Sequence, residues 1–367
     1  MIVSSILQMA SCSYCKVNSD KLERCSSCKA VSYCSKECQA KDWRNHRPSC
    51  RPYTIRNVPG KGRGLFATRK IIPGKIILEE RPLLTLDKGD QFSFMSSHYP
   101  NIDVVTKAKI LKLFDPAENL KTLDADKVDL NQLIRKNPTL LMWIESTDDE
   151  AEKILRIYTG NSINICNVPY LYNPSESGLY NKISQINHSC NPNAIWTWVR
   201  GDFKRKQVRA MKTIQKDEEI VVNYRDFVKF NFGSREYRQE ELLQTFAFSC
   251  TCSECSLEGE ALLENERIRA EIRDKEANIR KYSSPQALKI AVGLCQELVK
   301  LVKELDLRLE FVNQLLNTYE GAKCATMMGG FRGVPDPNIF KNEALKYCQL
   351  FGDSDINHFN TIMNSCP

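Results

Sequence analysis

The sequence predicts an α+β multidomain fold, and three observations carry that reading. Seven of the 16 cysteines lie between Cys12 and Cys50, and four more, Cys190, Cys250, Cys252 and Cys255, fall much later. From Tyr53 to Leu86, and again from Ile183 to Tyr224, β-branched and apolar residues run in short stretches punctuated by glycine and proline. Beyond Cys255 the apolar positions switch to helical spacing. A chain of 367 residues holds two or three domains at roughly 100–200 residues each.

Composition disfavours two classes of protein. Disulfide-dense chains are usually short and secreted, whereas Met1–Gln8 lacks a basic start and a full apolar run, so no secretory leader is expected. Apolar runs such as Ala291 to Cys295 fall far short of the roughly 20 residues that a bilayer-spanning helix needs. The expectation is a cytoplasmic or nuclear protein with metal-bound thiolates and no membrane association.

The N-terminal cysteines come in short-spaced pairs: Cys12 and Cys15, Cys25 and Cys28, Cys34 and Cys38, then His46 with Cys50. Eight such donors make two four-coordinate sites. Zinc takes four thiolate or imidazole ligands in a tetrahedron, and a closed set of this kind scaffolds and does not catalyse. About forty residues bury little apolar surface, and a structural zinc releases roughly 10–16 kcal/mol on binding, enough to drive folding. Packed reduced thiols would not call for four short-spaced pairs. Together with Tyr33 and Trp43, the order of these ligands resembles a MYND zinc finger. That resemblance implies a cross-braced arrangement: Cys12, Cys15, Cys34 and Cys38 on one ion, and Cys25, Cys28, His46 and Cys50 on the other. It also implies a module that binds proteins, chiefly through proline-rich peptides. From Cys12 to Arg51, nine basic against four acidic residues leave a charge of +5. Direct contact with nucleic-acid phosphates is left open beside a solvated basic face, and no recognition helix is apparent.

After the finger, Gly60, Gly62, Gly64 and Pro73-Gly74 separate short strands, and from about Asp90 to Tyr158 the pattern becomes helical, as in Thr106–Phe114 and Glu150–Tyr158. Strand signals return in Ala194–Val199 and Glu219–Tyr224. In the tail, Leu288 to Val302 and Leu309 to Leu316 carry helical apolar spacing, broken by Gly329-Gly330 and Pro335-Asp336-Pro337, which suggests antiparallel helix pairs.

Three separated stretches carry chemistry: Lys61-Gly62-Arg63-Gly64, Asn187-His188-Ser189-Cys190-Asn191-Pro192-Asn193, and Asp217 to Tyr224. Taken singly, the first is a tight turn, the second a polar turn and the third a strand ending in a packed tyrosine. In this order, followed by Cys250-Thr251-Cys252-Ser253-Glu254-Cys255, they resemble a SET-domain lysine methyltransferase with its post-SET zinc segment. With the finger, the chain resembles the SET-and-MYND (SMYD) family, whose helical tail is a TPR-like array. The implied domains are a finger at 12–50, a SET domain at 53–248 with a helical insertion at about 90–158, a post-SET segment at 249–256 and a helical domain at 257–367.

The resemblance implies an S-adenosylmethionine-dependent protein-lysine N-methyltransferase acting on histone or non-histone proteins. It assigns Lys61, Gly62, Arg63 and Gly64 to the methionine end of the cofactor, Asn161, Ser184, Asn187 and His188 to its neighbourhood and adenosine portion, and Phe248 to the adenine. Tyr224 becomes the channel tyrosine that aligns the amine. Cys190, Cys250, Cys252 and Cys255 become the ligands of a third structural zinc. The protein is expected to be a monomer. Two departures stand out. The finger precedes the Gly-x-Gly strand instead of interrupting the domain after it, which resembles the divergent arthropod branch of the family. Phe246 occupies the position of a second channel tyrosine, a change that alters methyl count or lowers activity in such enzymes. The alternative reading is therefore a catalytically weak or inactive adaptor that recruits partners for transcriptional repression.

Overall fold

The computed structural model describes residues 11–19, 21–25, 31–87, 94–122, 134–135, 144–145, 149–165, 176–199, 202–225, 228–279, 288–306, 318–319, 321–323, 327 and 334–351. In the N-terminal unit a two-stranded ribbon, β1 (Glu23–Arg24) with β2 (Ser32–Tyr33), precedes helix α1 (Lys36–Cys50). The Ser35 hydroxyl accepts the Cys38 N–H and starts the helix as a serine N-cap does. The buried core here is Cys12, Cys25, Tyr33 and Cys50, three of the four being sulfur donors. So little apolar burial cannot fix the fold without metal.

The central unit is built from three small sheets. Its strands are β3 (Tyr53–Val58), β4 (Gly62–Ala67), β5 (Ile76–Glu80), β6 (Leu84–Asp87), β7 (Ile163–Ile165), β8 (Glu176–Leu179), β9 (Asn187–His188), β10 (Ala194–Val199), β11 (Asp202–Ala210) and β12 (Glu219–Val222). Their orders are β3-β4-β12-β9, β10-β11-β5 and β6-β8-β7. β12 reads intermediate, buried, intermediate, buried, so Ile220 and Val222 enter the core with Leu65, Ala67 and Val208 while Glu219 and Val221 face away. β9 runs parallel to β12, with Val221 opposite Asn187 and Val222 opposite His188, the one parallel pairing among the described residues. The expected strand through Tyr224 stops at Val222, because the Tyr224 N–H turns to the His188 ring.

Between β6 and β7 the described helices are α2 (Val104–Ile110), α3 (Pro116–Thr122) and α4 (Glu150–Asn161), with a core of Leu86, Ile110, Ile154, Ile157 and Leu179. The expected Thr106–Phe114 helix starts two residues earlier, where Asp103 caps the Thr106 N–H, and ends at Ile110. Pro116 disfavours helical backbone at Asp115 and starts the next helix instead. Asp115 and Arg156 then form a two-point ion pair, Nε to Oδ1 at 2.8 Å and Nη2 to Oδ2 at 2.7 Å, with 12% and 5% of the side chains exposed.

Beyond the sheets come α5 (Val228–Asn231), α6 (Arg235–Phe246), α7 (Gly259–Ile279), α8 (Leu288–Glu304) and α9 (Pro337–Phe351). Ile268, Ile272, Leu298 and Val302 of α7 and α8 pack with Phe340 and with Met211 and Phe232 of the central unit. The expected helix at Leu309–Leu316 lies outside the described residues. No described helix is long and apolar enough to cross a membrane. Removing one partner of a buried ion pair leaves the other charge uncompensated, so Asp115→Asn should destabilise the chain by about 3–5 kcal/mol, read from urea-unfolding midpoints.

Candidate functional site

Three ligand clusters stand out. The sulfurs of Cys12, Cys15, Cys34 and Cys38 lie within 4.8 Å of one another, and so do the donor atoms of Cys25, His46 and Cys50 and the sulfurs of Cys190, Cys250, Cys252 and Cys255. Cys28 lies outside the described residues. Close approaches are 3.5 Å for Cys15 to Cys34 and for Cys34 to Cys38, and 3.6 Å for Cys25 to Cys50 and for Cys190 to Cys255. A disulfide needs about 2.05 Å. The edge of a tetrahedron built on a Zn–S bond of about 2.3 Å is about 3.8 Å. Both the spacing and the donor types therefore fit tetrahedral zinc.

The three chemistry-bearing stretches meet on the β4-β12-β9 side of the central unit. Gly62 sits at φ +71°, a left-handed conformation in which a side chain would be strained, and a Cβ there would lie 3.0 Å from the Phe114 ring. Gly64 is needed for space: a Cβ would stand 2.5 Å from Glu219 Oε1, 2.9 Å from Val58 Cγ2 and 3.0 Å from Asn187 Nδ2. Asn187 Nδ2 donates to the same Glu219 oxygen at 2.7 Å, so each of the three stretches touches the other two at one point. Asn193 locks the same junction, donating to Glu218 Oε1 at 2.9 Å and to the Glu219 carbonyl at 2.8 Å, and accepting the Val221 N–H at 3.0 Å.

His188 is the hub. Its Nδ1 accepts the Tyr224 N–H at 3.0 Å, so the ring proton sits on Nε2, 3.4 Å from the Cys190 sulfur. Burial holds the ring's pKa down to about 3, with Arg238 and Lys61 acting the same way and Cys252 opposing, and the imidazole is neutral at ordinary pH. One side chain thus couples the tyrosine to the four-cysteine cluster.

Tyr224 donates its hydroxyl hydrogen to the Ile186 carbonyl at 2.6 Å. Its ring stacks on Trp196 (centroids 6.1 Å apart, planes at 9°) and meets the edge of Phe246 at 5.3 Å and that of Phe248 at 6.4 Å. Burial, and to a smaller degree the Glu219 charge, raise its pKa, so the phenol stays protonated. Phe246 is the last residue of α6, and Ala247 after it takes the left-handed conformation (φ +55°) that turns the chain toward Phe248 and the cysteine segment.

The remaining expected residues are placed as follows. Lys61 and Arg63 flank Gly62 at the start of β4 and are partly exposed. Asn161 ends α4 and donates to the Phe114 carbonyl at 2.8 Å and the Ile157 carbonyl at 2.7 Å. Ser184 donates to the Asn161 carbonyl at 3.0 Å and accepts the Tyr180 N–H at 3.1 Å. Through Phe114, the helical insertion is thereby fastened over Gly62. Sequence reading assigned no role to Glu219, Asn193, Trp196 or Phe114. Asn193 and Glu219 lay inside the singled-out stretches, and their polarity next to apolar strands was the available signal. Trp196 and Phe114 carried no such signal, because their positions depend on how separate elements pack.

Residues 62–225 match the SET domain family and residues 12–50 match the MYND finger. The chain contains a SET domain, with a MYND finger N-terminal to it. Its relatives are lysine methyltransferases of the SMYD type at modest identity. A histone-lysine N-methyltransferase of Arabidopsis thaliana, ASHR1, is 28% identical over 258 residues, 68% of this chain and 48% of that protein. SMYD3 of Mus musculus is 26% identical over 300 residues, 78% of this chain and 62% of that protein. SMYD2 of Homo sapiens is 24% identical over 269 residues, 71% and 53% of the two lengths. The matches span about half to three-fifths of these relatives.

Two outcomes follow from the site. Gly64→Ala should cost about 1–3 kcal/mol through overpacking, seen as a lowered thermal midpoint. Stripping metal with a strong chelator should unfold the finger and release the cysteine segment, measured as zinc in the filtrate together with loss of far-UV circular dichroism. Intact ellipticity in metal-free protein would refute the structural role of the ions.

Proposed function

We propose that the chain transfers a methyl group from S-adenosylmethionine to the side-chain nitrogen of a lysine in a histone or another protein. The single observation that carries this reading is the junction of Gly64, Asn187 and Glu219 next to the coupled pair His188 and Tyr224. The names of the relatives, all lysine methyltransferases, support the same chemistry.

The residues present fit this cofactor in their donor chemistry. Lys61 and Arg63 supply cationic groups suited to a carboxylate, backbone at Gly62 and Gly64 allows close approach, Asn161, Ser184 and Asn187 supply amide and hydroxyl groups, and Phe248 supplies an aromatic face. When bound, the cofactor supplies an electrophilic methyl on a sulfonium. The chain then has to hold the amine in line with that methyl and exclude water. Because the Tyr224 hydrogen is committed to the Ile186 carbonyl, its oxygen is left as an acceptor for an N–H of a neutral amine, which orients the nitrogen lone pair. Phe246 contributes an apolar wall where a hydroxyl would have held a further N–H or a water, and with Trp196 and Phe248 it makes the amine's surroundings aromatic. Alignment at roughly 3–3.5 Å accounts for much of the acceleration such a reaction needs. Zinc takes no part in this step.

Finger residues Tyr14, Val17 and Trp43 are exposed by 43%, 53% and 40%. They support a protein-binding role for that module, in keeping with a proline-rich partner. The methyltransferase reading is tested by calorimetry with S-adenosylmethionine on zinc-replete protein and by labelled methyl transfer to a protein mixture. Wild type should bind and transfer. Asn187→Ala should lose binding, and Tyr224→Phe should keep binding while transfer falls by about 100-fold or more. No heat of binding in wild type would end this reading.

A further inference from the structure

Helix α6 lays one face against the Cys190, Cys250, Cys252 and Cys255 cluster. Leu242 is in the same buried group as these sulfurs, and Phe246 packs against it. Gln239 brackets Cys250, accepting its N–H at 2.7 Å and donating to its carbonyl at 2.6 Å. One turn before Leu242 stands Arg238, wholly buried. Its Nη1 donates to the Gly233 carbonyl at 2.5 Å, while Nε and Nη2 are buried with no hydrogen-bond partner among the described residues.

A guanidinium keeps its proton at any ordinary pH, so a buried and incompletely bonded one needs a counter-charge. The carboxylates nearby are spoken for. Glu254 accepts from Arg269 Nη2 at 2.9 Å, from Asn265 at 2.8 Å and from Asn191 at 3.1 Å. Glu266 accepts the Arg235 N–H at 2.9 Å. Arg269, also wholly buried, adds a second positive charge. Arg238 lies one and two helical turns before Leu242 and Phe246, the residues of α6 that pack with the sulfurs, so its buried guanidinium is on the helix face turned to the cluster. Four neutral thiols would leave this cation unbalanced. Four thiolates on a divalent ion carry a net charge of −2.

We infer that Arg238 is the counter-ion of the Cys190, Cys250, Cys252 and Cys255 metal centre, a positioning residue whose buried charge strengthens the hold of the four sulfurs on the ion. This rests on the reading that the four cysteines hold zinc. By fixing the ionised sulfurs, Arg238 also fixes the acceptor for His188 Nε2, and through His188 the backbone of Tyr224. Its role is at the metal and not at the reacting atoms.

The test is thiol alkylation by N-ethylmaleimide across a chelator titration, read cysteine by cysteine by peptide mass spectrometry, with total zinc measured in parallel. In Arg238→Met the four clustered thiols should become reactive at a chelator concentration about 10–100-fold lower than in wild type, the usual effect of losing a group that supports metal ligands. The finger cysteines in the same sample should be unchanged. Arg238→Lys, which keeps the charge and loses the planar fork, should recover most of the protection. Wild-type protection in Arg238→Met overturns the proposal. So does an Arg238→Lys protein whose four thiols are as labile as those of Arg238→Met, including the case in which the latter does not fold. If the four thiols of zinc-replete wild type react freely without chelator, the zinc reading itself fails and this inference with it.

Discussion

Two residues of parallel strand hold the centre of this protein together. Asn187 and His188 lie beside Val221 and Val222, and the Ser189 N–H continues the ladder to the Val222 carbonyl at 2.9 Å. A parallel pair this short adds little stability by itself. It persists because its side chains are fastened at both ends: Asn187 to Glu219 beside Gly64, and His188 to Tyr224 and Cys190. The stretch cannot shift register by one residue without turning His188 away from Tyr224 and Cys190 from the other sulfurs. The placement of Tyr224 therefore depends on this pairing.

The cysteine cluster gives the pairing its permanence. Cys190 lies two residues from His188, and the other three ligands lie beyond α6, so the cluster closes a chain loop of more than fifty residues around the aromatic group. Closing such a loop by ligation removes freedom from the unfolded chain. It also draws the tail inward: Lys212 pairs with Asp306 at 2.8 Å, and Arg269 of α7 reaches Glu254 within the Cys252 to Cys255 turn. The tail is thus joined to the cluster through charge as well as through the apolar packing of Met211 and Phe232. The helical insertion is held together by the Asp115 to Arg156 pair and by the Asn161 amide on the Phe114 carbonyl, and is tied to the sheets where Ser184 donates to the Asn161 carbonyl.

Much of this was legible in the chain. Short-spaced cysteines announce metal because only ligation explains such pairs in so small a unit, and the family resemblance implied that the distant Cys190 joins Cys250, Cys252 and Cys255 in a shared site. The strand boundaries at Ala194–Val199 and the helices beginning at Glu150 and Leu288 follow from periodicity. The ends of elements were less legible. Tyr224 leaves its strand because a distant imidazole takes its N–H, and the helix expected to reach Phe114 stops at Ile110.

By itself the sequence determined which residues can bind metal, which turns need glycine, and where several of the helices and strands begin, since these depend on ligand chemistry and on neighbours within a few positions. Only the tertiary structure decided that Phe114 lies over Gly62, that Trp196 stacks on Tyr224, that Glu219 shares one junction with Gly64 and Asn187, and that Arg238 is buried on the helix that packs on the four cysteines. The physical reason is that a side chain's partners across a packed interior are set by how whole elements dock. An arginine within a helix looks the same in sequence whether it faces water or a buried cluster of cysteines.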